Sequence, residues 1–324
     1  MFIPFLRTVG NVMVNKITVI GGGHVGESCS LLASQQELAK EVILLDILEG
    51  VPIGKGLDQW EAAPVLGFDT RVRGTNDWAD TAGTDIFIMT AGVARKPGMD
   101  REDLLKINAG IVKSCAQNMA KYAPDSIIIV VSNPLDVMAY VAFENSGFPR
   151  ERVFGMAGIL DTARFRSFLA LEMDVSVEDI QALVLGGHGD SMVPLVSYAS
   201  VSGIPLTFFL DKETLDPIIT RTRKGGGEIV GYLKTGSAYY APAAGAVQMA
   251  EAIVKDKKRI FPCSCYLQGE YGQEGLFIGV PCKVGKGGME GIIEVPLSDE
   301  EKAALDNSMS AVKKTMAELA NLDY

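Results

Sequence analysis

Hydrophobic residues in the first half of this chain gather into short unbroken runs, with segments of helical spacing between them. The runs are 16–20 (Lys-Ile-Thr-Val-Ile), 41–46 (Glu-Val-Ile-Leu-Leu-Asp), 85–89 and 126–131. Apolar runs of that length, without the polar alternation of a half-exposed strand, predict strands buried on both faces. Segments 24–39, 101–121 and 134–145 carry the helical pattern. Buried strands separated by helices predict a doubly wound parallel sheet covered on both sides, in an N-terminal domain of residues 16–156.

From residue 157 to 324 the pattern changes. A helix is expected over 159–173, short strands near 182–186 and 192–198, and long helices over 212–234 and 238–254. Strands near 259–266, 276–283 and 290–295 follow, with Gly285-Lys286-Gly287-Gly288 as the hairpin loop between the last two. Ser298 with Glu301 three residues on reads as a capping box. It opens a final helix whose apolar residues Leu305, Met309, Val312, Met316 and Leu319 recur at helical spacing. This half predicts an α+β domain with an antiparallel sheet. The fold class is therefore α/β with a second, α+β domain, and the lack of a linker predicts a shared interface. Residues 1–15 read as an N-terminal extension, with Met13 an alternative start.

Composition narrows the classes of function. Hydrophobic content of 48% with 22% charged residues is that of a globular protein. A net charge of −10 argues against nucleic acid or an anionic membrane as partner, so any anion must be held by a local cluster of cations. No apolar run approaches the roughly 20 residues that cross a membrane. Cys29, Cys115, Cys263, Cys265 and Cys282 are odd in number and lack metal-ligand or disulfide-framework spacing, which predicts a reducing, cytoplasmic setting and no metal.

Gly21-x-Gly23-x-x-Gly26 follows the first strand and opens a helix. The first glycine permits the tight turn, the second lets backbone approach a diphosphate, and the third lets helix and strand pack closely. The helix N-terminus favours the anion. Asp46 ends the second strand 20 residues after Gly26. Its carboxylate can accept from both ribose hydroxyls and would repel a 2′-phosphate, so the expected cofactor is NAD rather than NADP. His24 lies inside the turn and is expected to face solvent beside the diphosphate, without a catalytic role.

The chain has two histidines, and the second lies in Gly186-Gly187-His188-Gly189-Asp190. An imidazole titrates nearest neutral pH, so His188 is the candidate carrier of a catalytic proton. The glycines would give the backbone unusual φ angles and let a ligand come close. Asp161 and Arg164 share one face of the helix at 159–173. Asp161 can orient a histidine, and Arg164 can grip a carboxylate with two parallel hydrogen bonds, although such spacing is also that of a surface ion pair. Arg95, Lys96 and Arg101 lie in a Pro-Gly loop past the strand ending at Thr90, at the edge where open α/β sheets bind ligands. That suits a lid over an anion. Asn133, in Ser132-Asn133-Pro134, offers an amide on the same edge, and its bond to Pro134 is a candidate cis peptide.

Taken together, the glycine turn, the Ala91 to Arg101 segment, Ser132-Asn133-Pro134, Asp161-Thr162-Ala163-Arg164 and Gly187-His188-Gly189-Asp190 resemble the lactate/malate dehydrogenase family in order and spacing. The likeness runs from about residue 16 to the end, and within the family it points to the malate dehydrogenases of the lactate-dehydrogenase-like group. It implies a Rossmann domain, a C-terminal catalytic domain, a homodimer or homotetramer, and a place in the tricarboxylic acid cycle. The implied reaction is reversible NAD-dependent oxidation of (S)-malate. His188 would take the hydroxyl proton, Asp161 would orient it, Arg164 would bind the C1 carboxylate and Arg101 would polarise the C2 oxygen. Arg95, where lactate-specific relatives commonly carry Gln, would pair with the second carboxylate of a dicarboxylate substrate, and Asn133 would contact substrate and cofactor. Cofactor contacts would come from Gly21, Gly23, His24, Val25, Gly26, Asp46, Thr90, Ala91, Gly92, Asn108, Val131 and Asn133. The extra Gly22 and His24 depart from the usual turn.

The rivals are a lactate or other 2-hydroxyacid dehydrogenase, a silent NAD-binding module, and a structural oligomer with a vestigial site. Neither of the last two gives a reason to keep His188, Asp161, Arg164, Arg95 and Arg101 together.

Overall fold

The computed structural model describes residues 13–93 and 101–324. Residues 1–12 of the expected extension lie outside them, and the first strand starts earlier than expected. The first half holds β1 (Val14–Ile20), α1 (His24–Gln35), β2 (Ala39–Leu45), α2 (Val51–Leu66), β3 (Arg71–Thr75), β4 (Ile86–Met89), α3 (Arg101–Tyr122), β5 (Ile127–Val130), α4 (Leu135–Ser146) and β6 (Val153–Gly155). The second holds α5 (Gly158–Met173), β7 (Ile180–Gln181), β8 (Val184–Leu185), β9 (Val193–Pro194), β10 (Ser200–Val201), β11 (Ile204–Pro205), α6 (Lys212–Leu233), α7 (Tyr240–Val254), β12 (Arg259–Gln268), β13 (Glu274–Gly285), β14 (Gly288–Ile292) and α8 (Asp299–Ala320).

Strands β1 to β6 form the expected parallel sheet. Alternate residues feed two cores, one on each face. Ile17, Val19, Ile86, Ile88, Ile127 and Ile129 pack with α1 and α7. Ile20, Phe87, Met89, Ile128 and Val130 pack with α3 and α4. Both faces being apolar is what makes these strands read as continuous runs.

The long antiparallel strands β12 to β14 are present, but they do not form a separate sheet. β12 pairs with β6 at Ser264 and Gly155, giving one nine-stranded sheet in the order β14-β13-β12-β6-β5-β4-β1-β2-β3. Strand β6 is only three residues long, so its short apolar stretch left no mark in the pattern, yet it joins the two halves. A third core, around Phe165, Leu169, Leu206, Leu215 and Ile218, holds α5 against α6.

Other boundaries move for local reasons. α1 stops at Gln35, because the chain turns through Glu37 at φ 50° and Ala39 already pairs in β2. α2 and β3 were not anticipated. Pro52, Pro64, Gly54 and Gly56 break the helical signature of α2, and β3 is an edge strand bearing Arg71 and Arg73. The expected strand at 192–198 is two residues of β9 followed by a 3-10 turn at Val196–Tyr198. Gly285 pairs with Gly288, so the last hairpin turns on Lys286 and Gly287 alone. No helix among the described residues is long and apolar enough to cross a membrane. All five cysteines are buried and free.

The capping box forms in full: Ser298 Oγ accepts from the Glu301 amide at 3.2 Å, and the Glu301 carboxylate accepts from the Ser298 amide at 3.0 Å. Replacing Ser298 by Ala is expected to cost about 1 kcal/mol, read as a lower denaturation midpoint with an unchanged slope against denaturant.

Candidate active site

Many of the expected site residues line one cavity of about 530 Å³ along the carboxyl edge of the parallel strands, though Gly21, Asp46 and Asp161 are not among its lining. Its N-terminal wall is Gly23, His24, Val25 and Gly26 of the glycine turn, with Thr90, Ala91 and Gly92 after β4 and Val131 and Asn133 after β5. Its opposite wall carries Arg164 and His188.

The turn between β1 and α1 is built as its glycines require. Gly21 sits at φ +102°, and a Cβ there would lie 2.9 Å from the Ala91 amide nitrogen. A Cβ at Gly26 would lie 1.8 Å from the Gly21 carbonyl oxygen, so only glycine lets α1 seat on β1. Gly23, in contrast, borders open space at the helix N-terminus. Asp46 follows β2, and its two oxygens accept from the amides of Gly22 (2.5 Å) and Leu48 (2.9 Å). The unusual Gly22 thus positions the acid. Each oxygen keeps a lone pair for a ribose hydroxyl, so acid, open turn and helix end fit an NAD adenosine diphosphate.

His24 is exposed, as expected, but it is not loose. Its Nδ1 lies 2.8 Å from Glu27, and its ring centroid lies 5.0 Å from that of Tyr239. Burial would raise the Glu27 pKa, but Lys55 and His24 hold it below the ordinary carboxylate value. Asn108 is buried, and its amide bonds backbone: Oδ1 accepts from Val93, and Nδ2 donates to Val93 and Asn133. It staples the segment after β4 to the segment after β5. The Asn133-Pro134 peptide is cis.

His188 is fixed by three successive backbone anchors. Gly186 exchanges hydrogen bonds with Gly279 on β13, Gly187 N–H donates to Ser308 Oγ on α8, and His188 N–H donates to Asp136 Oδ2 on α4 at 2.9 Å. The glycines here serve packing more than ligand approach. Gly186 stands at φ +89°, and a Cβ on Gly187 would lie 2.6 Å from Val312 on α8; Gly189 borders open space.

Asp161 comes from the first turn of α5. That helix is held to β8, the strand leading to His188, by the Val184 amide donating to Thr162 Oγ1. Asp161 is 1% exposed and is no surface ion-pair member. Its Oδ2 lies 2.8 Å from His188 Nδ1, and its Oδ1 accepts from Arg164 at 3.2 Å. An ionised carboxylate only accepts, so Nδ1 carries the proton and Nε2 remains the free base. Burial pulls the His188 pKa down and Arg164 opposes its charge, but Asp161, by charge and hydrogen bond, and Asp136 outweigh them, and the net displacement is upward. Arg164 borders the cavity beneath α6, where a Cβ on Gly225 would lie only 3.1 Å from its side chain.

Arg95 and the rest of the expected lid, residues 94–100, lie outside the described residues. Arg101 opens α3, and its side chain lies outside them as well. Reasoning from sequence missed Asp136, Ser264, Ser308 and Arg223. Arg223 borders the cavity, with Nε donating to the Met192 carbonyl at 3.1 Å. Asp136 looks like an ordinary first-turn acid and Arg223 like one of several cations on a surface helix, so neither carried a signal.

Residues 15–155 match a family model for the NAD-binding domain of lactate/malate dehydrogenase, and residues 159–322 match the model for that family's α/β C-terminal domain. The chain belongs to the lactate/malate dehydrogenase family. Among family members, a malate dehydrogenase of Roseiflexus sp. strain RS-1 is 56% identical over 94% of this chain and 98% of its own length. One from Chlorobium limicola is 58% identical over 92% and 96%. The solved malate dehydrogenase of Salinibacter ruber superposes with a TM-score of 0.91 at 52% identity, covering 95% of this chain and 98% of that one. A lactate dehydrogenase of Cryptosporidium parvum, solved with lactic acid and NAD, gives 0.92 at 43%, covering 96% and 99%. The family frame is thus common to both specificities, and the N-terminal half of this chain is an NAD-binding domain.

The raised His188 pKa has a definite sign for stability. Its folded value lies above the roughly 6.5 of an unfolded histidine, so its contribution is full below that value and is lost as pH rises through the folded pKa. His188→Asn is therefore expected to destabilise the protein more at pH 6 than at pH 9. Equal losses in denaturation midpoint at the two pH values would contradict this.

Proposed function

We infer that this chain is an NAD-dependent malate dehydrogenase, oxidising (S)-malate to oxaloacetate and the reverse. The observation that carries the reading is the Arg164–Asp161–His188 chain, built on the buried Asp161 and facing the cavity that the dinucleotide turn also lines. Bound NAD supplies the hydride acceptor for C2. The residues supply everything around that transfer. Nε2 of His188 takes the hydroxyl proton, and the imidazolium so formed is held by Asp161. Arg164 binds the C1 carboxylate, which orients C2 toward the cofactor wall. In the reverse direction His188 returns the proton to the C2 oxygen, which Arg101 polarises. The Asn133 amide faces substrate and cofactor ribose. Asp46 takes the ribose hydroxyls, and the backbone from Gly21 to Gly26 takes the diphosphate.

Choice of substrate is assigned to Arg95. A charged hydrogen bond is worth about 1.5–3 kcal/mol, so a monocarboxylate that leaves this arginine unpaired under a closed lid binds worse by one to two decades. The curated relatives at 56–58% identity named malate dehydrogenase support the dicarboxylate reading over the lactate one.

Domain boundaries of 16–156 and 157–324, a cytoplasmic setting, a role in the tricarboxylic acid cycle and assembly as a homodimer or homotetramer complete the proposal. Support for assembly comes from the exposed stripe Ile53, Leu57 and Trp60 on α2, at helical spacing.

Steady-state rates with oxaloacetate or pyruvate, and NADH or NADPH, test the reading. Oxaloacetate with NADH is expected to dominate, and Arg95→Gln is expected to shrink the preference over pyruvate by about 10- to 100-fold. A preference left intact by that change would remove Arg95 from the argument. His188→Asn is expected to bind NADH normally, by fluorescence, and to lose about 10²- to 10⁴-fold in turnover.

A further inference from the structure

Asp136 is a buried carboxyl side chain that the relay above does not use. It lies in the first turn of α4, three residues after Asn133, and is 5% exposed. Its Oδ2 accepts from the His188 amide at 2.9 Å, and its Oδ1 accepts from Ser264 Oγ on β12 at 2.7 Å. A neutral acceptor would satisfy the same two donors at less desolvation cost, so the carboxylate calls for a reason other than hydrogen bonding.

We propose that Asp136 is a positioning residue for proton transfer: a carboxylate behind His188 that fixes its backbone and, together with Asp161, sets the proton affinity of its ring. The proposal rests on His188 being the proton carrier. Among the described residues, the charged groups around the ring are Asp161 and Arg164 from α5, Asp136 from α4, Asp190 on its own loop, and Arg223 from α6, anchored on Met192. Arg164 opposes the imidazolium, and Asp136 stands on the side of Asp161. Burial, and to a lesser degree the Asp161 charge, raise the Asp136 pKa above the ordinary carboxylate value; Ser264 and the His188 amide, by donating to it, and the nearby His188 oppose that rise by favouring the charged form. The placement also has a geometric consequence. Asn133, on the cofactor wall, and Asp136, on the histidine, share one short stretch of chain, so the two walls of the cavity are held in register.

The test uses the chain's scarcity of histidine. With two imidazoles in the whole sequence, the ring-proton resonance of His188 is the one that disappears in His188→Asn, and it can be titrated by NMR in the cofactor-free enzyme. Asp136→Asn keeps the shape and an acceptor but removes the charge. The His188 midpoint is expected to fall by roughly 0.5–1 unit. The pH limbs of malate oxidation and oxaloacetate reduction should move to lower pH by the same amount. Ser264→Ala, which leaves the charge in place, is expected to shift the midpoint by much less. An unmoved midpoint in Asp136→Asn, or an equal shift in Ser264→Ala, overturns the proposal. Should the Asn variant fail to fold, Asp136→Ser gives the same readout. Because the titration needs no turnover, it stands apart from the choice of substrate. A normal shift in a protein that does not oxidise malate would sink the functional reading alone.

Discussion

The hydrogen bond between Asp161 and His188 is the interaction on which the rest of the site depends. It selects the tautomer, so it decides which ring nitrogen faces the cavity. It holds a positive charge after proton transfer, in surroundings where an unpaired imidazolium would be costly. It also requires two distant segments to meet within 2.8 Å. Much of the C-terminal architecture can be understood as satisfying that distance.

Consider how each partner is held. Asp161 is carried by a helix pinned through Thr162 to β8, the strand that runs toward the histidine. His188 is carried by a loop whose three preceding or own amides are committed to β13, α8 and α4. Helices and strands constrain such a pair far better than loops, because their positions are set by whole cores rather than by single contacts. Here α8 is the outer brace, with Ser308 on the loop and Val312 filling the space a side chain on Gly187 would need. The glycines beside the histidine are therefore part of the packing of a helix about 120 residues further along the chain.

The single nine-stranded sheet extends this rigidity across the molecule. Had the antiparallel strands formed their own layer, the dinucleotide turn and the histidine would sit on bodies joined by side-chain packing alone. Pairing of Ser264 with Gly155 instead makes the backbone ladder continuous. Ser264 also donates to Asp136, so the residue at the seam between the halves touches the group behind His188. Hydride transfer needs the cofactor face and the proton carrier at a fixed separation, and a shared sheet with a shared buried carboxylate supplies it.

Several features were determined by the sequence alone. The parallel strands were legible because burial on both faces leaves unbroken apolar runs, as in Ile127 to Val130. The dinucleotide turn was legible because Gly21 and Gly26 occupy positions where a Cβ cannot fit, a constraint local enough to show as a motif. His188 stood out by rarity, and Asp161 with Arg164 by helical spacing. Other features depended on the tertiary structure. α2 and β3 were hidden by prolines, glycines and edge charges, and their existence follows from what they pack against. The merging of the two sheets rests on one short strand, β6, whose three residues are too few to carry a pattern. That Asp161 is buried against the histidine rather than solvated with Arg164, and that Asp136 reaches the same loop from the other half, are facts about residues 27 and 52 positions from His188. Periodicity reports on neighbours within a few turns, and contacts at that distance exist only once the cores have closed.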